Sequence, residues 1–343
     1  MRQLALLGLA ATLSTGAMGC SAIAQAPQEL NLYSSRHYNT DEALYENFTA
    51  ETGIVVNRIE AKGDALIERL KSEGRNSPAD VFVTVDAGRL WRAEEAGLFQ
   101  PVESDVLDNA VPEHLQHPDN LWFGVTQRVR AIVYNTDTVD PGELSTYEAL
   151  AEPEWEGRVC IRSSSNVYNQ SLMASAIDTN GAEAAGEWAE GMVANFAREP
   201  EGGDTDQIRA VSAGVCDVAV ANHYYSARLL DSEKPGDRAV TDNTAVFFPN
   251  QDAGGAHVNI SGAGVLANAP NRDAAIQFLE YLVSPEAQAL YAQGNHEYPV
   301  VDGVDVGVAV ASLGEFDAAE TNVYVFGPNA AEALELMDRA GWK

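Results

Sequence analysis

From Leu30 onward the apolar residues recur in two rhythms, one alternating or continuous over short runs, the other spaced by three and four. "LNLYS" (30–34), "IVVNRI" (54–59) and "DVFVTV" (80–85) follow the first rhythm and are predicted strands. "TDEALYENFTAETG" follows the second: Leu44 and Phe48 share a face, Thr40 stands at the expected N-cap and Gly53 lies beyond the end. "GDALIERLKSEG" brings Leu66, Ile67 and Leu70 to helical spacing, and a further helix is expected to end near Gly97. Such βαβα alternation implies a largely parallel sheet with helices on both faces.

A second series occupies the middle of the chain. "GRVCIR" (157–162) and "CDVAVAN" (216–222) read as strands, and "NVYNQSLMASAI", "AAGEWAEGMVANF", "DQIRAVSAG" and "YYSARLL" as helices. Two long extended segments, "TQRVRAIVYN" (126–135) and "AHVNISGAGVL" (256–266), suit a chain that crosses between two bodies. After them come a helix over "NRDAAIQFLEYLVS", ended by Pro285, and one more helix. The expected fold is α/β with two lobes, each a mixed, mostly parallel sheet flanked by helices, with a cleft and hinge strands between. The division places 27–130 with 255–305 in one lobe and 131–254 with 306–343 in the other.

The start of the chain belongs to neither lobe. Arg2 and the short apolar run "LALLGLAATL" precede Ala22-Ile23-Ala24, the pattern of a cleaved secretory signal over 1–24. Cys20, in "AMGC", leaves a lipid anchor as the alternative. No other stretch approaches the roughly 20 apolar residues that span a bilayer.

With 343 residues there is room for two compact domains, and 51 acids against 21 bases give a net charge of −30. Phosphate backbones are held by clustered Lys and Arg, so nucleic acid is not an expected partner. An excess this large keeps a protein soluble and is a lever of salt adaptation. In an exported chain the remaining cysteines, Cys160 and Cys216, are a candidate disulfide.

Three polar segments, "YSSRHYN", "RSSSNVYN" and "NHYYSAR", each follow a predicted strand and precede a helix. In open α/β sheets that strand end is where ligands bind. Placed there, Tyr224 and Tyr225 can converge with Tyr168 from the same lobe and with His37 and Tyr38 from the other. A phenol is neutral at pH 7, with a pKa near 10, but a highly charged cation can displace its proton. Four phenolates and an imidazole form a hard, oxygen-rich set that suits Fe3+ better than zinc or copper(I). The first shell would carry one negative charge, which Arg36 or Arg128 could offset without an added anion. Tyr33, Tyr45, Tyr134, Tyr281 and Tyr291 are expected to be ordinary aromatics, and His114, His117, His223, His257 and His296 structural.

On these segments, and on "SPADVFVTVDAGRLWRAEEAGLFQPV", the chain resembles the periplasmic ferric-iron-binding proteins of bacterial ABC transporters, a branch of the class II periplasmic binding proteins. The likeness runs from about Leu30 to about Pro299 and is greatest to the tyrosine-rich subgroup of cyanobacteria and marine bacteria. The resemblance implies iron ligation by Tyr224 and Tyr225, then by Tyr168 and Tyr38, with His37 at a family position whose participation varies. It further implies a monomer that closes on iron and delivers it to an ABC permease and its ATPase. Ferrous iron stays open as a second oxidation state, and a synergistic anion is not expected.

Two other readings use different residues. The Ser163–Ser165 helix start could hold an anion or a small organic solute, with the tyrosines as pocket wall. A non-haem iron enzyme would want two histidines and a carboxylate. No such cluster is evident, nor a G-x-S-x-G, P-loop or H-E-x-x-H motif, so an enzyme is not expected.

Overall fold

A computed structural model describes residues 28–36 and 38–343. The expected signal segment 1–24, with Cys20, and the candidate ligand His37 lie outside the described residues. In chain order the main elements are β1 (Glu29–Ser34), α1 (Glu42–Thr52), β2 (Val55–Glu60), α2 (Gly63–Glu73), β3 (Val81–Val85), α3 (Ala87–Glu95), α4 (Asp105–Ala110) and β4 (Phe123–Asn135). Then come β5 (Val159–Cys160), α5 (Val167–Asn180), α6 (Ala182–Ala194), α7 (Asp204–Ser212), β6 (Val218–Asn222), α8 (His223–Leu230), α9 (Pro235–Thr241) and β7 (Thr244–Phe247). The last group is β8 (Val258–Val265), α10 (Arg272–Leu282), α11 (Pro285–Asn295), α12 (Val308–Ala311) and α13 (Ala330–Ala340).

The strand order is β2-β1-β3-β8-β4-β6-β5, with β7 added against β4. β1 pairs in parallel with β2 and β3, and β5 with β6, as βαβ connections demand. Each antiparallel pairing involves β4 or β8, the two extended segments expected to cross between bodies. β4 changes partners midway: Phe123 to Val129 pairs with β8, whereas Arg130 to Tyr134 pairs with β6. Every residue of β8 is buried, which is why that strand reads as a continuous apolar and small-residue run.

Most elements form where their periodicity places them. Leu44 and Phe48 of α1 and Leu66, Ile67 and Leu70 of α2 are buried, and Gly53 ends α1 with φ +74°. Two details differ. Thr40 does not cap α1; it sits in a 3-10 turn over Asn39–Asp41, and its hydroxyl bonds to the Asn295 side chain of α11. The helix begins at Glu42, so the N-cap position falls on Asp41. β5 covers two residues instead of the expected six. Its continuation is drawn off the ladder, because the Arg162 carbonyl accepts from Trp342 Nε1 at 2.9 Å and from Asn169 Nδ2 at 2.8 Å.

The short β5 is tied to the chain before β6 by a disulfide between Cys160 and Cys216, whose Cα atoms are 5.8 Å apart. No helix among the described residues is long and apolar enough to cross a membrane. The bridge closes a loop with a sequence separation of 56, for which chain entropy gives roughly 4 kcal/mol of stabilisation. Replacing both cysteines by serine is therefore expected to lower the unfolding free energy by up to about that amount, measured as a shift in the denaturant midpoint.

Candidate metal centre

Three strand ends supply the aromatic residues. Tyr38 follows β1; Tyr168 lies in the first turn of α5, after β5; and Tyr224 and Tyr225 open α8 directly after β6. At α5 the Asn166 side chain accepts from the Tyr168 N–H at 3.1 Å, so the helix start is fixed beside the phenol. At α8 the preceding Asn222 is buried, its N–H donating to Asp204 at 3.0 Å. Asp204 is also paired with Arg130 at 2.9 Å, which locks the end of β6 to β4.

The phenols come together as expected. Tyr224 Oη donates to Tyr168 Oη at 3.4 Å, and the Tyr224 and Tyr225 ring centroids are 4.3 Å apart. The Arg228 guanidinium lies 4.8 Å from the Tyr38 and Tyr224 ring centroids and 5.7 Å from that of Tyr225, so one cation touches aromatic faces from both strand sets. The Arg36 guanidinium also lies 4.9 Å from the Tyr38 ring centroid. Of the five expected site residues, the structure gathers Tyr38, Tyr168, Tyr224 and Tyr225.

Behind them lies a buried ionic chain that the sequence reading did not include in full. Glu297 receives Arg36 Nη1 and Arg128 Nη2, each at 2.9 Å, and Arg36 Nε pairs with Asp41 at 2.9 Å. All four side chains are buried. Arg36 and Arg128 were the sequence candidates for balancing charge, whereas Glu297 lacked any local motif. Its neighbour Asn295, at the end of α11, donates to Asp41 at 2.7 Å and thereby holds the loop after β1.

Burial sets the protonation of the site. It raises the pKa of Tyr224 well above the usual phenol value, with Tyr168, Tyr225 and Tyr38 adding to the shift and Arg128 opposing it. Tyr168 is raised first by burial, against the pull of Arg128. Tyr225 is raised by burial and by Tyr168. At neutral pH these three are uncharged phenols, so a cation must displace their protons to be bound by oxygen.

The histidines near the site do other work. Burial pushes the His223 pKa down to about 3. Its Nδ1 accepts from the Val129 N–H at 3.2 Å, which leaves Nε2–H to donate to the His296 carbonyl at 2.9 Å. Both ring nitrogens are thus engaged. His296 in turn meets Asp231 at 3.1 Å. Among the described residues no group of three His, Cys, Asp or Glu side chains could hold a metal.

The Ser163–Ser165 segment has little to offer an anion. The Ser164 N–H donates to the Lys343 carbonyl at 3.2 Å, the Ser165 N–H to Ser163 Oγ at 3.2 Å and the Asn166 N–H to the Ser163 carbonyl at 3.0 Å. Those donors are already spent on local structure.

A mixed sheet whose parallel groups at either end are linked through the antiparallel strands β8 and β4, with phenols gathered at strand ends, is the frame of a solute-binding protein. The chain belongs to the bacterial extracellular solute-binding protein family, whose pattern matches residues 43–318. It is 56% identical to iron uptake protein A1 of Synechocystis, with 98% of this chain and 97% of that protein covered. A Trichodesmium protein solved in complex with iron and citrate ligands superposes with a TM-score of 0.90 at 59% identity, covering 92% of this chain and all of that one. The ferric binding protein of Campylobacter jejuni gives a TM-score of 0.86 at 40% identity, covering 92% of this chain and 100% of its own. The family is one of extracellular components of ABC transporters.

Removing one member of a buried ion pair leaves the other charge uncompensated, at a typical cost of about 3–5 kcal/mol. Glu297→Gln is expected to destabilise the protein by an amount in that range, and chemical unfolding of the two chains side by side measures it.

Proposed function

We propose that this protein is a periplasmic carrier that captures ferric iron between its lobes and hands it to an ABC permease and its ATPase. The observation that carries the reading is the convergence of Tyr38, Tyr168, Tyr224 and Tyr225 from three separate strand ends. Phenolates are hard anionic oxygen donors, and Fe3+ is the common trivalent cation that matches them. The names of the relatives point the same way. His37 is a further candidate ligand, placed by sequence beside Tyr38.

The division into lobes fits the change of partners at Val129 and Arg130 in β4. Residues 27–130 with 255–305 then supply Tyr38, and 131–254 with 306–343 supply the other three tyrosines. Iron bound by oxygens of both halves favours the closed form over the open one, and that difference in affinity is what drives closure. Four phenolates around Fe3+ leave one negative charge, and the guanidiniums of Arg228, Arg36 and Arg128 exceed the carboxylates of Asp41 and Glu297 by one positive charge. Neighbouring guanidiniums can therefore offset the charge of the loaded centre. The Trichodesmium relative was solved in complex with both iron and citrate.

Two outcomes are expected. Tyr224→Phe with Tyr225→Phe removes two oxygen donors and should weaken iron binding by more than about a hundredfold, or about 2.7 kcal/mol, in competition with a chelator. The visible absorption of the ferric phenolate centre should fade with it. Because the phenol pKa values are raised, loading at pH 7 must expel protons, so affinity falls as pH falls. Titration at several pH values measures this; an affinity independent of pH would rule out tyrosinate ligation.

A further inference from the structure

Asp86 joins β3 to α3 with a backbone that L residues rarely adopt, φ +79° and ψ 125°. Such a conformation persists only when its surroundings over-determine it, and it is found most often where a protein has a use for it. Here the carboxylate does the pinning. Oδ1 accepts from the Gly88 N–H at 2.9 Å, which caps α3, and Oδ2 accepts from Asn259 Nδ2 of β8 at 3.0 Å. The Asp86 N–H donates to the Ile260 carbonyl at 2.8 Å, and Asn259 Oδ1 accepts from Ala87 N–H at 3.0 Å. The turn is thus fixed to a crossover strand on every side but one.

On that remaining side stands Ser171, whose hydroxyl donates to Asp86 Oδ1 at 2.6 Å. Ser171 lies in α5, one turn beyond Tyr168, and residues three apart share a helix face. Both partners are buried, Asp86 fully and Ser171 to 2% exposure. A Cβ added at Gly88 would lie 3.6 Å from Ser171 Oγ, so the start of α3 rests directly against α5. Other polar contacts between these halves include the buried bonds of His223 to the His296 carbonyl and the Val129 N–H, the pair of His296 with Asp231, and Arg228 with the Asn295 carbonyl at 3.4 Å. None of these ends on the helix that carries Tyr168, as the bond of Asp86 does.

We propose that Asp86 and Ser171 are positioning residues that latch α5, and Tyr168 with it, across the cleft in the closed form. The proposal rests on the iron-carrier reading above. Opening the cleft separates the Ser171 hydroxyl from a carboxylate that the strained turn holds in place. Closing it forms a short, charge-assisted bond in a water-poor setting, where such bonds are strongest. The latch touches neither iron nor phenol, so it governs how long the closed form lasts rather than which atoms bind.

The test follows iron release into excess chelator by loss of visible absorption, for the full-length chain and its variants. Ser171→Ala is expected to release iron about tenfold faster, the scale of losing a hydrogen bond to a charged group, with the position of the visible band unchanged. Asp86→Asn, which keeps the shape but removes the charge, is expected to accelerate release as well. In the double variant, adding Ser171→Ala to Asp86→Asn should have a smaller effect than Ser171→Ala alone, because the two act through one bond. Release from Ser171→Ala within twofold of the parent overturns the latch while leaving the carrier reading intact. Effects that simply multiply in the double variant overturn it equally. A parent chain that develops no visible band with ferric iron removes the carrier reading, and the latch falls with it.

Discussion

Continuity of β4 is the constraint on which the molecule depends. Its 13 residues serve two partner sets, β8 over the first half and β6 with β7 over the second. A register irregularity between Gly124 and Thr126 lies near the start of the strand; beyond it the pairings run on without a shift through the change of partners, and a one-residue slip there would turn each side chain to the opposite face. Arg128 and Arg130, two apart and on the same side, are thereby aimed into neighbouring ionic clusters, one at Glu297 and one at Asp204. Through Asp204 the second cluster also holds the end of β6, from which Tyr224 and Tyr225 follow.

Charge tells a complementary story. A chain with a net charge of −30 would repel itself and hold cations loosely over its whole surface. Yet several of its arginines lie around the aromatic centre: Arg36 and Arg228 lie against Tyr38, and Arg162 lies 5.6 Å from the ring of Tyr168. Their positive charge lowers the cost of forming phenolates, while burial keeps the empty site neutral. On the proposed reading as a ferric carrier, a trivalent ion is favoured by that balance, because a less highly charged cation gains too little to displace several protons at once.

Much of this was legible along the chain because it is local. Adjacent tyrosines at the end of a buried strand, the helical spacing of Leu66, Ile67 and Leu70, and the left-handed Gly53 all depend on neighbours within a turn or two. What escaped depends on partners far apart in sequence. Thr40 lies in a 3-10 turn bonded to distant Asn295 and the N-cap position falls on Asp41, while β5 lost its ladder because Trp342 and Asn169 claimed the Arg162 carbonyl. Glu297 had no motif, since its role is defined by Arg36 and Arg128, 261 and 169 residues away. The bond between Asp86 and Ser171 spans 85 positions and was invisible for the same reason.

The two ends of the strand order are unlike the middle. β2 closes one end with Asn57, Arg58 and Glu60 largely exposed, and Arg58 is paired to Glu60 at 2.9 Å and to Glu42. β5 closes the other with only two residues. An open sheet edge invites a stranger's backbone to zip onto it, and charged side chains or brevity are the usual deterrents. Here one margin is guarded by ions and the other is too brief to template a neighbour, so crowding many copies together should not stitch them into fibrils through those margins.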